Sequence, residues 1–120
     1  MLNAFRRPAF WALLAVCSLF ALVPSVPDQV AQLGDLVLHA GAFLTLAVSG
    51  ALAYSRRPLW VIGGWLVGYG ALIEVVQGMS GLREADPVDL LVDILATAVG
   101  LAVVAAGRAL RVRGRSRLSG

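Results

Sequence analysis

The sequence predicts an all-α protein, a four-helix transmembrane bundle whose N and C termini both lie in the cytoplasm. Three observations lead to this prediction. The 120-residue chain is 59% hydrophobic and only 14% charged, whereas soluble proteins average about 25% charged residues. Four apolar runs divide the chain, and each approaches the length needed to cross a bilayer. The segments between these runs alternate between basic and acidic.

The arginines predict which ends of the helices face the cytoplasm. Short loops rich in arginine stay on the cytoplasmic side, and this rule counts basic residues rather than net charge. All but one of the basic residues fall at the two termini and in the middle loop, namely Arg6, Arg7, Arg56, Arg57, Arg108, Arg111, Arg113, Arg115 and Arg117. The acidic residues all fall in or near the other two segments. We therefore expect every carboxylate on, or just beneath, the outer face.

The first two apolar runs predict two helices separated by a segment that contains proline. The first helix is expected over residues 8–24, because Pro8 suits a first helical turn and Pro24 ends the run. No convincing small-x-small cleavage site follows it, which favours a retained helix over a cleaved signal peptide. The second helix is expected over residues 35–54.

The remaining apolar runs predict helices over residues 58–79 and 87–107, which complete a single integral membrane domain spanning 1–120. Small residues on these two helices should lie where helices approach closely, because their packing drives helix association in a membrane. They are Gly63, Gly64, Gly68, Gly70, Ala96 and Gly100.

Polar residues inside the apolar runs predict a functional site. Asp35 and His39 are four residues apart, as are Asp89 and Asp93, and Glu74 lies three residues before Gln77, so each pair shares a helix face. At about 1.5 Å per residue, the three helices bring ionisable groups to one level, roughly 6–9 Å below their outer ends. A charged residue at a helix centre costs about 2.5–3.5 kcal/mol, and facing inward removes most of that cost. The predicted cluster contains Asp35, His39, Glu74, Gln77, Arg83, Asp89 and Asp93.

The chemistry of this cluster leaves several interpretations open. His39 beside Asp35 could accept a proton, and Arg83 could bind a phosphate or carboxylate, or instead pair with Asp86 or Asp89. A purely structural network that holds three helices in register is the alternative. No standard nucleophile is expected at this level, because Cys17 is predicted to lie too deep and on the wrong helix. These features favour a protein that is not an enzyme.

The sequence predicts neither a metal nor a cofactor. It contains a single histidine, and no pair of histidines at helical spacing. Nucleic-acid binding is not expected despite the net charge of +3, because the arginines flank apolar runs and act as topology anchors.

The ordered motifs resemble those of the VanZ-like family of small bacterial membrane proteins. That family has Asp-Lys-x-x-His at the start of a transmembrane helix, then Glu-x-x-Gln, a loop Arg, and Asp-x-x-x-Asn followed by glycines. The matching residues here are Asp35, His39, Glu74, Gln77, Arg83, Asp89 and Gly100, and the resemblance covers about residues 28–107. Three positions differ: Leu36 replaces the lysine, Asp93 the asparagine and Ala96 the first glycine. The site here is therefore more acidic than the family pattern.

The resemblance implies a multi-pass protein of the bacterial cytoplasmic (inner) membrane, in the cell envelope. The family's namesake is associated with low-level resistance to the glycopeptide teicoplanin. The implied partners are membrane lipids and a lipid-linked precursor or a lipophilic glycopeptide, bound at an outer-leaflet polar pocket. The alternatives are an intramembrane enzyme acting on a lipid-linked substrate and a small transporter. The chain is compatible with a homo-oligomer.

Overall fold

The computed structural model describes residues 2–21, 29–81 and 87–119, together with the side chains in these ranges except those of residues 2–3, 29–33, 35 and 119. The described chain forms four helices: α1 (Leu2–Ala21), α2 (Gln29–Ala53), α3 (Leu59–Ser80) and α4 (Pro87–Ser119). Each helix is long and apolar enough to cross a membrane. The predicted all-α, four-helix architecture is confirmed.

The helix ends differ from the prediction. α1 begins at Leu2, so Pro8 lies inside the helix rather than in its first turn. α2 begins at Gln29, before Asp35, and α4 continues past Gly107 to Ser119. Hydropathy marks the edge of the hydrocarbon layer, whereas helical hydrogen bonds continue into water where good helix formers such as Ala, Leu and Arg follow. The 33 residues of α4 rise about 50 Å, well beyond the ~30 Å hydrocarbon core.

α2 is the central helix of the bundle and packs against the other three, most extensively against α4. Leu46, Ala47 and Ala51 on α2 have no exposed surface. The main apolar core joins α2 to Phe10 of α1 and Leu66 of α3. α2 therefore holds the position from which a side chain can reach either α1 or α4.

Two glycines allow α4 to lie close to its neighbours. A Cβ added at Gly100 would lie 2.8 Å from Ala47 Cβ and 2.9 Å from the carbonyl oxygen of Leu44. A Cβ at Gly63 would lie 2.9 Å from Leu101 Cδ1. These positions match the predicted close approaches. Gly64 and Gly68 do not, because they are exposed and a Cβ at either would meet nothing within 4 Å.

The arginine-bearing segments meet at one end of the bundle. Arg7 of α1 donates through Nε to the Ala53 carbonyl at 3.5 Å, and its guanidinium lies 4.8 Å from the centre of the Tyr54 ring. Arg108 of α4 donates to the Ala51 carbonyl at 3.3 Å. Cations near the last carbonyls of a helix are favourable, because those carbonyls have no partner within the helix and carry the negative end of its dipole. We refer to this end as the arginine end.

Candidate functional site

Five buried polar side chains lie in an otherwise apolar interior, all on α2, α3 and α4. They are His39, Glu74, Gln77, Asp93 and Thr97. Gln77 has no exposed surface, and Asp93 is only 2% exposed. A polar group removed from water needs hydrogen-bond partners, and in lipid none are supplied by the solvent. These five residues, called the polar cluster below, are therefore expected to be bonded within the protein.

His39 and Asp93 form the contact at the centre of the polar cluster. His39 Nδ1 lies 3.1 Å from Asp93 Oδ1, across the interface between α2 and α4. The pair is a hydrogen bond if Nδ1 carries the hydrogen, and an ion pair if the ring is protonated. Either form fixes the orientation of the imidazole.

Asp93 also contacts α3, because residue 70 has no side chain. A Cβ at Gly70 would lie 3.1 Å from Asp93 Oδ2 and 3.2 Å from Phe43 Cζ, so an alanine would press on both. Within α4, the Thr97 hydroxyl donates to the Asp93 backbone carbonyl at 2.7 Å. The carboxylate is therefore positioned by α2 on one side and by the backbone of α3 on the other.

Glu74 and Gln77 continue the face of α3 that begins at Gly70, since residues at i, i+4 and i+7 share one helix face. Glu74 lies 15 residues after Leu59, and His39 lies 14 residues before Ala53. At about 1.5 Å per residue, both lie roughly 21–23 Å from the arginine end. The ionisable groups of α2 and α3 thus occupy one level of the bundle.

Gln77 connects the polar cluster to α1. Its Nε2 donates to the backbone carbonyl of Ala21, the last residue of α1. Its Oε1 is buried and accepts no hydrogen bond from the residues that the structure describes. The amide therefore holds α1 against α3, rather than bonding to the His39–Asp93 pair.

The remaining predicted site residues are less central or lie outside the described residues. Asp89 is part-buried in the first turn of α4, one turn before Asp93, where a carboxylate favours the helix dipole. Asp35 belongs to α2, but its side chain is outside the described residues, and so is Arg83 as a whole. The predicted pairing of Asp35 with His39 therefore stays a prediction.

A cavity of about 530 Å³ opens between α1, α2 and α3, beside the polar cluster. Its walls are apolar, with Phe20 from α1, Phe43 from α2 and Ile73 from α3. His39 contributes to the wall, so one imidazole belongs to both the cavity and the polar cluster. Val37 and Leu38 on the cavity wall are largely exposed, so the cavity lies at the outer surface of the bundle.

Cys17 lies on α1, as predicted, and lines the same cavity as His39. It is ten residues from Arg7, so at about 1.5 Å per residue it lies roughly 15 Å from the arginine end, deeper in the bundle than His39. Nothing in the local pattern shows which face of α1 meets α2.

A hydrogen-bonded pair that was not predicted from the sequence lies on the α1 side of the cavity. The Tyr69 and Ser18 hydroxyl oxygens lie 2.6 Å apart, and Ser18 donates to the Leu14 carbonyl at 2.8 Å, so Tyr69 donates to Ser18. Tyr69 stacks on Trp65 with parallel rings whose centres are 6.0 Å apart. A tyrosine midway along an apolar helix is the signal that predicts such a partner, because a buried phenol needs one.

Among the side chains that the structure describes, which do not include that of Asp35, no three His, Cys, Asp or Glu residues lie close enough together to hold a metal ion. His39 and Asp93 supply one nitrogen and one carboxylate, whereas a structural or catalytic zinc site takes at least three protein ligands. The described donors are suited to hydrogen bonding and proton exchange.

Compared with known proteins, the chain matches no family model, no curated protein and no solved structure. The resemblance to the VanZ-like family therefore depends on the ordered motifs alone. Of their residues, His39, Glu74 and Gln77 are buried in the polar cluster, and Gly100 lies at a close contact between α4 and α2.

Proposed function

We propose that this protein is a VanZ-like membrane protein of the bacterial cell envelope that binds an amphiphile. The apolar tail of the amphiphile occupies the cavity between α1, α2 and α3, and its polar part meets the polar cluster. The observation that carries the proposal is the double role of His39, which lines the cavity and is bonded to Asp93 at 3.1 Å.

The cavity has the size and chemistry of a ligand site. Pockets for small molecules measure about 300–1,000 Å³ and are mostly apolar, with a few polar groups that orient the ligand. A volume of about 530 Å³ lies within that range, and the polar wall groups include His39 and the hydroxyl of Thr45. An apolar tail would pack against such walls, and a polar head group would form a hydrogen bond with the imidazole of His39.

The ligand is proposed to come from the outer leaflet. The positive-inside rule assigns the arginine end to the cytoplasm, and the polar cluster lies roughly 21–23 Å away from that end. A site in the outer half of the bilayer is accessible to a lipid-linked precursor of the envelope, and to the lipophilic tail of a teicoplanin-type glycopeptide. Binding of the glycopeptide tail would connect the protein to glycopeptide resistance.

Teicoplanin susceptibility tests this function directly. Cells expressing wild type are expected to tolerate more teicoplanin than cells expressing Glu74→Gln or His39→Gln, because both changes alter polar groups of the cluster. Gly107→Ala is the matched control, since a Cβ there meets nothing within 4 Å. Identical susceptibility for wild type and both cluster variants, at equal expression, would rule out a resistance role.

The same cavity makes an intramembrane enzyme the second candidate. His39 held by a carboxylate has the geometry of an oriented general base, and Cys17 of α1 lines the same cavity. A lipid-linked substrate incubated with the purified protein would then be converted by wild type and not by Asp93→Asn. Retention of the unchanged lipid by both proteins would favour binding over catalysis.

A further inference from the structure

A second, smaller cavity at the arginine end has no part in the proposed function. It measures about 200 Å³ and lies among α1, α2 and α3. Aromatic rings form much of its wall, with Phe10 and Trp11 from α1, Tyr54 after α2, and Trp65 from α3. Arg57 is the charged residue of its wall. We refer to this cavity as the aromatic slot.

The walls of the aromatic slot are held in place by direct contacts. The Trp11 indole donates to the Tyr54 hydroxyl at 2.9 Å. Phe10 meets Trp11 and Tyr54 edge to face, with ring centres 5.4 and 6.1 Å away. Such edge-to-face contacts are favourable arrangements for aromatic pairs. The slot is therefore a formed site, and the Tyr54 phenol keeps its own hydrogen for donation.

Arg57 is held at the slot by the turn between α2 and α3. Its backbone N–H donates to the Tyr54 carbonyl at 2.9 Å, and Tyr54 N–H donates to the Gly50 carbonyl at 2.9 Å. Among the described residues no carboxylate forms an ion pair with Arg57, and the described acids Glu74, Asp89 and Asp93 lie on the far half of the bundle. An exposed guanidinium at this position can take an anionic partner from outside the chain.

The volume of the aromatic slot and the residues around its opening indicate which class of ligand it can bind. About 200 Å³ is below the ~300–1,000 Å³ of pockets for drug-sized molecules, so it holds only part of a larger molecule. Trp11 and Trp65 are 48% and 47% exposed, so the slot opens toward the bilayer. An arginine at the mouth binds phosphate well through its planar fork.

We infer that the aromatic slot binds an anionic phospholipid, with the phosphate on Arg57 and the head-proximal part of one acyl chain between the aromatic rings. Aromatic side chains and arginines of this kind are typical of the membrane interface. The slot and the polar cluster lie at opposite halves of the bundle, and Gly50 is 11 residues from His39, about 16 Å along α2. The two sites can therefore bind, or fail to bind, independently.

Tryptophan quenching tests the inference in the full-length protein. Trp60 is removed as Trp60→Phe, because it is highly exposed and outside the slot, which leaves Trp11 and Trp65 as reporters. The protein is placed in nanodiscs containing phosphatidylglycerol or phosphatidylcholine brominated near the carboxyl end of one acyl chain. Brominated phosphatidylglycerol is expected to quench at a lower mole fraction, by about fivefold, since one arginine near the surface contributes about 1 kcal/mol.

The neighbouring arginine supplies the matched control. Arg57→Gln should abolish the preference for phosphatidylglycerol, whereas Arg56→Gln should keep it, because Arg56 does not line the slot. Arg57→Lys should keep part of the preference, since the point charge remains. Equal quenching by both lipids in wild type, or equal effects of Arg57→Gln and Arg56→Gln, would overturn the assignment.

Inorganic phosphate distinguishes the lipid from a free anion. If added phosphate leaves the preference for phosphatidylglycerol intact, the acyl chain contributes to binding, as inferred. If phosphate removes the preference, the slot binds the free anion and the lipid assignment is wrong. None of these outcomes depends on the teicoplanin result.

Discussion

His39 on α2 and Asp93 on α4 meet in the apolar interior, with Nδ1 of the imidazole 3.1 Å from Oδ1 of the carboxylate. The two residues are 54 positions apart in the chain. Their contact crosses the most extensive helix interface of the bundle. This pair both stabilises the α2–α4 interface and places an oriented imidazole beside the main cavity.

The first prediction is an energetic coupling between His39 and Asp93. In the cycle His39→Phe, Asp93→Leu and the double variant, we expect a coupling of about 0.6–2 kcal/mol, because each single change leaves the other polar group buried without this partner. Unfolding in detergent mixtures or by steric trapping measures it. As a control, Asp93→Leu and Thr45→Val should add to within about 0.5 kcal/mol, since Thr45 bonds to Gly41 of its own helix. Additive effects in the His39–Asp93 cycle would contradict the assigned contact.

The second prediction concerns the close approach of α4 to α2. Gly100→Ala should lower the free energy of unfolding by about 1–3 kcal/mol, because its Cβ would lie 2.9 Å from the Leu44 carbonyl oxygen, a backbone atom that cannot rotate away. Gly107→Ala, on the same helix, meets nothing within 4 Å and should cause no loss. Thermal unfolding of the two purified variants compares them. A loss of the same size in both would contradict the close contact assigned at Gly100, because helix propensity alone favours alanine over glycine at both positions.

The third prediction uses the single cysteine as a reporter of the main cavity. Cys17 is the only cysteine of the chain and lines the cavity, so a lipid-soluble maleimide should modify it and a bound amphiphile should slow the reaction. The control is Ala15→Cys in a Cys17→Ser background, because Ala15 is exposed and outside the cavity wall. Mass spectrometry follows the labelling with and without teicoplanin. Equal protection at both positions would mean that the ligand acts on the bilayer and not on the cavity.

The fourth prediction concerns orientation. The positive-inside rule, together with the arginine end shared by α1, α2 and α4, predicts that Ser119 lies in the cytoplasm. A green fluorescent protein fused after Gly120 should therefore fluoresce, and alkaline phosphatase fused at the same position should be inactive. Active phosphatase would show that the topology is the reverse of the predicted one, with the polar cluster in the inner leaflet.

Much of the architecture could be predicted, since a run of about 20 apolar residues has few stable arrangements in a membrane other than a helix. The length of the apolar runs does not predict where each helix begins and ends. α2 begins at Gln29 and α4 ends at Ser119, because backbone hydrogen bonding does not stop where the hydrocarbon layer stops. The sequence also does not predict which glycines lie at close contacts between helices. Gly63, Gly70 and Gly100 lie at close contacts and Gly64 and Gly68 do not, although all five look equivalent in the sequence.

Helix periodicity alone predicts which residues share a face of one helix: Asp35 with His39 on α2, Glu74 with Gln77 on α3, and Asp89 with Asp93 on α4. Helical spacing specifies relative direction along one helix, but it contains no information about the rotation of that helix against its neighbours. Packing sets that rotation, and packing depends on contacts between residues far apart in the chain. For that reason only the folded bundle shows that His39 bonds to Asp93, that Gln77 reaches the Ala21 carbonyl, and that Cys17 and His39 line one cavity.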